Sequence, residues 1–319
     1  MKKHIFLFIL ILPAVSGCLK KLAQSTLADP GDQLMFLKKN ITDDVIDRLK
    51  ATKTVFFYKK DNSLAIDSLK QAISSGWKLT PIVFDGIENF GRYAGNPDYS
   101  YFVIEGVNTT TETKTINYST THYYLTLHLN KPAAKKGEPK LHGLCRIDLY
   151  PNYETIGVGS GLKVPDNVID KLYERGVFYN WSPILLKAQL EAVASNISNH
   201  IRPWLYENIK DDNLDQTLSK DTLYVPQRLL MSFNKFSGKE KEANENIFSG
   251  YKYKYKICTD DELFNIFEKE QRGRLLFEYV KSSTDKFVTV YDLKDKKIIY
   301  KKYTPVSYNL KTKDLEEIR

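Results

Sequence analysis

ISSGWKLTPIVFDGIENF, residues Ile73 to Phe90, has a counterpart 174 residues further on, IFSGYKYKYKICTDDELF, residues Ile247 to Phe264, with six of eighteen positions identical. Ser75-Gly76 matches Ser249-Gly250, and Trp77 becomes Tyr251. The chemistry repeats along with the letters. Asp85 with Glu88, and Thr259 with Glu262, stand as a helix cap and its partner three residues on, each after a strand-like run. Upstream, Thr54-Val55-Phe56 corresponds to Thr222-Leu223-Tyr224; downstream, Tyr101-Phe102-Val103 corresponds to Leu275-Leu276-Phe277. Self-similarity at a fixed offset is the signature of a repeated supersecondary unit. Two βαβαβ units are expected.

Within the first unit, a helix is expected from about Asn40 to Ala51, with Thr42 as its cap and Asp43 and Asp44 on the positive end. Thr54 to Tyr58 reads as a strand, Ser63 to Ser75 as a helix stopped by Gly76, and Trp77 to Phe84 as a second strand. Pro81 marks that strand as an edge or a bulge. Tyr99 to Val107 is apolar on both faces, as in a sheet covered on two sides with parallel pairing. Alternating Thr121 to Leu129 and the run His142 to Val158 add antiparallel strands, with Lys131 to Lys140 as a loop. In the second unit, Ser232 to Asn244 reads as an inserted loop.

Between the units, Ser182-Pro183 opens the strongest helix of the chain, a favoured cap and first-turn pair. Its stripe is Leu186, Leu190, Val193, Ile197, Ile201 and Trp204, spaced by three and four residues as a core-facing helix requires. It ends or kinks at Pro203 and is expected to pack on one or both units.

The amino end carries an address. Lys2 and Lys3, the apolar run Ile5 to Leu12 and small residues before Cys18 read as an export signal, too short to span a bilayer. Val15-Ser16-Gly17-Cys18 resembles the lipobox of bacterial lipoproteins, which implies a diacylglycerol on the Cys18 thiol and cleavage before it. Ordinary secretion with cleavage after Ser16 or Gly17, since Ala14-Val15-Ser16 also fits the small-x-small rule, is a second reading, and an uncleaved anchor is a third. Several acyl chains, at about 0.8 kcal/mol per buried methylene, would hold the chain permanently on a membrane. By resemblance to lipoprotein sorting, Leu19, which is not Asp, favours the outer membrane. The expected organisation is signal 1–17, tether 18–35, first α/β unit 36–178, connecting helix 179–210 and second α/β unit 211–319. The strand and helix order is similar to that of uncharacterised envelope lipoproteins with small βαβ domains, including the type at the amino end of the periplasmic protein TolB. That similarity implies binding or assembly and transfers no active-site residue.

Composition narrows the function. The chain is 42% hydrophobic and 13% aromatic with 21 Tyr, as a folded, strand-containing protein should be. Its net charge of +8 is spread as single lysines rather than an arginine-rich block, so nucleic acid is not an expected partner. Cys145 and Cys258 fall in different units and read as buried thiols. Gly157-Val158-Gly159-Ser160-Gly161, before a helix read over Asp166 to Arg175, lacks the spacing of a phosphate loop or a nucleophile elbow. His122 and His128 lie six residues apart on one strand, about 20 Å, too far for one ion. Asp260-Asp261-Glu262 reads as a helix first turn and Tyr251 to Lys256 as a half-buried strand. No catalytic residue, metal ligand or cofactor is expected. The leading expectation is a non-enzymatic binding or scaffolding lipoprotein for a protein or glycan. An anchored or secreted hydrolase of envelope polymers is the alternative, and a capture protein for small solutes is a third reading.

Overall fold

The computed structural model describes residues 8–9, 39–59, 66–112, 117–130, 141–155, 171–203, 205–234, 239–242, 245–283, 285–307 and 309–319. Two short strands come first, β1 (Phe8–Ile9) and β2 (Lys39–Asn40). Helix α1 (Asp43–Lys50) follows Thr42, carries Asp43 and Asp44 on its positive end and buries Val45, Ile46 and Leu49 on one face. Then come β3 (Lys53–Tyr58), α2 (Ile66–Gly76), β4 (Ile82–Gly86), a 3-10 turn over Ile87–Arg92, and the meander β5 (Tyr99–Glu112), β6 (Asn117–Asn130), β7 (Leu141–Asp148). Helix α3 (Pro183–Ser198) follows, then β8 (Ile201–Arg202), β9 (Ile209–Lys210) and α4 (Leu214–Lys220). The second half runs β10 (Leu223–Pro226), the hairpin β11 (Met231–Asn234) and β12 (Lys239–Glu242), a 3-10 turn over Glu245–Gly250, and β13 (Tyr255–Cys258). It closes with α5 (Asp260–Phe264), the meander β14 (Leu275–Ser282), β15 (Asp285–Asp292), β16 (Lys297–Thr304), and α6 (Thr312–Glu316).

The fold is α/β with two mixed sheets of one design. The first has the order β4-β3-β5-β6-β7, and β1 pairs with β5 beyond the end of β3. The second has the order β13-β10-β14-β15-β16-β9. In each, the first strand lies between the second and third and runs parallel to both, and the rest of the meander is antiparallel. The register between first and third strands repeats as the sequence predicts: Val55 opposes Tyr101, and Leu223 opposes Leu275. At the outer parallel strand it slips. Val55 opposes Val83, whereas Leu223 opposes Tyr255, two residues before the position the repeat assigns. A slip of two keeps every side chain on its face, so the core tolerates it.

The shared Ser-Gly has a packing reason. A β-carbon on Gly76 would stand 2.9 Å from the Lys187 carbonyl oxygen and 3.1 Å from its α-carbon, both on α3. On Gly250 it would stand 2.8 Å from Thr312 Cγ2 and 2.5 Å from Glu316 Cγ, both on α6. In each unit, then, glycine lets the segment before the outer strand press against the helix that follows the meander. Thus α3 and α6 hold equivalent places.

Helix α3 is more than a connector. Ile184, Leu185, Ala188 and Ala192 join the core of the second sheet, while Leu186, Leu190 and Ile197 join that of the first. It also ends sooner than its stripe suggests. The helix stops at Ser198 and His200 takes a left-handed φ of 61°, so Ile201 leaves the helix and pairs in β8 with β2. Two other expectations need correction. Trp77 is a buried side chain outside the strand, because its N–H still bonds the Ile73 carbonyl of α2; β4 starts only after Pro81, as an edge strand. From Thr121 to Asn130, β6 is buried on both faces rather than one, since the second sheet covers its other side and His122 Nδ1 stands 3.0 Å from Ser282 Oγ.

The inserted segment after β10 is a hairpin, not a loop. Met231 pairs with Glu242 and Asn234 with Lys239. The alternating Tyr251 to Lys256 forms strand only from Tyr255. The loop 131–140, Gly157 to Gly161, and the first half of the helix read over Asp166 to Arg175 lie outside the described residues.

Candidate functional site: a crevice at the start of the shared helix

In each unit the first parallel strand lies between the second and third, so the chain leaves its carboxyl end toward one neighbour and returns past it to the other. Such switch points, beyond the carboxyl ends of parallel strands, are where open α/β sheets receive ligands. Here the two switch points share one opening. Tyr58 ends β3, Arg228 follows β10, and Ser182 and Pro183 begin α3; these line a crevice of about 700 Å³. Phe264 on α5 and Trp181 supply further aromatic wall. The volume lies within the range that holds a small molecule or a few sugar rings.

Two ion pairs sit on the rim. Lys59 Nζ lies 3.1 Å from Glu174 Oε1, and Arg228 NH1 lies 2.9 Å from Asp260 Oδ2. Arg175 and Asp261, also at the rim, have no ion pair among the described residues. Opposite charges therefore balance around an aromatic floor. Ring stacking with a few polar contacts suits sugars and peptide side chains, and stacking needs no net charge.

A second opening lies between the sheets, behind α3. It measures about 80 Å³, room for two or three waters at about 30 Å³ each, and is lined by Asp148, Gln189, Glu278 and Lys301. Glu278 organises it. Its Oε1 accepts from Asn180 Nδ2 at 2.8 Å and Gln189 Nε2 at 2.6 Å, and its Oε2 accepts from Tyr291 at 2.6 Å. Asn180 Nδ2 also donates to the Asp148 carbonyl at 2.8 Å, so a chain segment, a helix and both sheets meet at one carboxylate. Burial raises the Glu278 pKa against the pull of those three hydrogen bonds. Burial, only partly offset by Lys301, pushes Asp148 up to about 7. Lys301 donates to the Leu205 carbonyl at 2.9 Å, and burial lowers its pKa. This is a polar interlock sized for water, whereas the crevice is sized for a ligand.

The residues singled out from sequence fall elsewhere. Cys18 and Gly157 to Gly161 lie outside the described residues. His122 meets Ser282, and His128 Nε2 meets Glu105 Oε1 at 2.8 Å, each within the packed interior of the sheets. Cys145 and Cys258 are free, buried thiols in different sheets. Thr259 and Glu262 form a reciprocal capping box at the start of α5, which accounts for the acidic run there. His200 sits just past the end of α3, with Nε2 3.7 Å from Asp43 Oδ1. Among the described residues no helix is long and apolar enough to cross a membrane. The crevice residues Tyr58, Trp181, Arg228 and Phe264 went unread, because only the tertiary pairing of the units brings them together.

No family model, curated protein or solved structure matches the chain.

Proposed function

We propose that this protein is a lipid-anchored envelope protein that holds a glycan in the crevice at the start of α3. The observation that carries the reading is the shared opening. Two repeated units place their switch points, five aromatic side chains and a rim of balanced charges around one volume of about 700 Å³. Of the three rim carboxylates, Glu174 and Asp260 are engaged by Lys59 and Arg228, which leaves Asp261 alone without an ion pair among the described residues rather than the two working carboxyl groups that glycoside hydrolysis uses. A hydrolase of envelope polymers needs a carboxylate facing substrate with raised proton affinity. Asp148 and Glu278, which have that property, line the small cavity between the sheets instead. The export signal and the Cys18 lipobox support placement on a bacterial envelope membrane.

Calorimetric titration of the full chain with soluble cell-wall oligosaccharides tests the binding. Tyr58→Ala with Phe264→Ala should weaken it at least tenfold while far-UV circular dichroism stays unchanged. Equal affinity in the double variant would remove the crevice from consideration. Detergent partitioning beside Cys18→Ala tests the anchor separately: the variant should move to the aqueous phase.

A further inference from the structure

We infer that the start of α3 is a receptor for an oxyanion, a carboxylate or phosphate carried by whatever occupies the crevice. The inference rests on the crevice being the binding site and adds the chemical class of one ligand group.

The argument is one of unsatisfied donors. A helix begins with N–H groups that have no partner inside it, and a buried helix end left open is rare. In α3 the first bonded N–H is that of Leu186, which reaches the Ser182 carbonyl at 2.9 Å. Pro183 has no N–H. Those of Ile184 and Leu185 find no acceptor among the described residues, although both residues are buried. Ser182, at the cap position, ordinarily supplies that acceptor. It does not do so here: its side chain makes no cap bond, it is 2% exposed, and its Oγ has no hydrogen-bond partner among the described residues. Ser182, Pro183 and Ile184 all line the crevice. At the positive end of a sixteen-residue helix one buried hydroxyl and two N–H groups thus lack an acceptor among the described residues, and two of the three residues that carry them, Ser182 and Ile184, line the crevice.

The rest of the chain shows what belongs there. Each of the other described α-helices carries an acidic residue in its first turn, and α3 carries none. At α6, which holds the equivalent place in the second unit, Asp314 Oδ2 accepts the Lys311 N–H at 2.7 Å and Lys286 Nζ at 2.5 Å. Arg175, at the rim without an ion pair among the described residues, is the nearby cation; Arg228 is engaged by Asp260. Rim charges balance, so selectivity for an anion comes from the helix start.

The test supplies the anion from within. Ser182→Asp places a carboxylate at the cap, the best side chain for the two open N–H groups. In the full chain without ligand it should raise the melting temperature by about 1–2 °C. It should also weaken binding of inorganic phosphate and of glucuronate at least tenfold. Ser182→Ala removes one donor and leaves two, and should weaken both about three- to tenfold. Tighter binding of phosphate identifies a phosphorylated ligand, and tighter binding of glucuronate an acidic sugar. Wild-type protein that ignores both anions at 10 mM, a Ser182→Asp chain that melts lower, or one that binds phosphate as before, each overturns the inference. A neutral oligosaccharide separates the two readings. If it binds while both anions fail, the crevice stands and the anion receptor falls; if it also fails, the crevice reading falls too.

Discussion

The two units solve the same packing problem with different local structure. Between the first and second parallel strands the first unit uses an eleven-residue helix, α2, whereas the second uses a 3-10 turn of six residues preceded by a hairpin. After the meander the first has the sixteen-residue α3 and the second the five-residue α6. What stays fixed is the register of the first and third strands and the glycine that brings the two segments together. Helix length is free to vary because it is set by local capping and by how much surface there is to cover. The repeat therefore preserves contact points and not elements.

The sharpest break in the comparison is the sharing of α3. Leu185→Ala cuts into the second core and Leu190→Ala into the first, and each residue is 0% exposed. Each substitution should cost about 2–5 kcal/mol. Both should shift a single unfolding transition in calorimetry; two resolved transitions would show that the units are independent. Next comes the interlock. The Asp148 pKa rises from 3.8 to about 7, so the folded chain holds a proton there that the unfolded chain releases. Stability should therefore fall as pH rises from about 4 to about 7, by at most about 4 kcal/mol, and stay level above that window. Asp148→Asn should reduce the difference between urea unfolding at about pH 4.5 and about pH 7.5, leaving the part that the raised Glu278 contributes.

The glycines give a finer contrast. Gly76→Ala forces a methyl against the backbone of α3 and should cost about 1–3 kcal/mol. Gly250→Ala meets side chains of Thr312 and Glu316, which can rotate aside, and should cost less. Equal melting temperatures for the two variants would remove the proposed asymmetry. Smallest is the pair of caps. Thr259→Ala breaks a formed capping box and should cost about 1 kcal/mol, while Ser182→Ala breaks no cap bond and should leave unliganded stability within about 0.5 kcal/mol.

Much of the fold was legible because its signals are local. Thr42 before two aspartates, Pro81 before an edge strand and Thr259 with Glu262 each act within a few residues of themselves. The repeat was legible because tight packing on the following helix favours glycine twice, at Gly76 against the backbone of α3 and at Gly250 against side chains of α6. The dual burial of α3 was obscured, since a stripe through Leu186, Leu190 and Ile197 accounts for one face and leaves Ile184, Leu185 and Ala188 looking incidental. Glu278 was hidden for the opposite reason. In sequence it is one charged residue in an apolar strand, and its partners Asn180, Gln189 and Tyr291 come from three other places. The crevice shares that fate, being assembled from the ends of elements that the pattern of apolar residues does not describe.

Because α3 completes both cores, order of synthesis matters. Strands β3 to β7 and α3 emerge before any strand of the second sheet exists, so the first sheet can close on Leu186, Leu190 and Ile197 while Ile184, Leu185, Ala188 and Ala192 still face water. Until residue 275 and beyond arrives to cover them, those four side chains form an apolar ridge that waits for the core it completes.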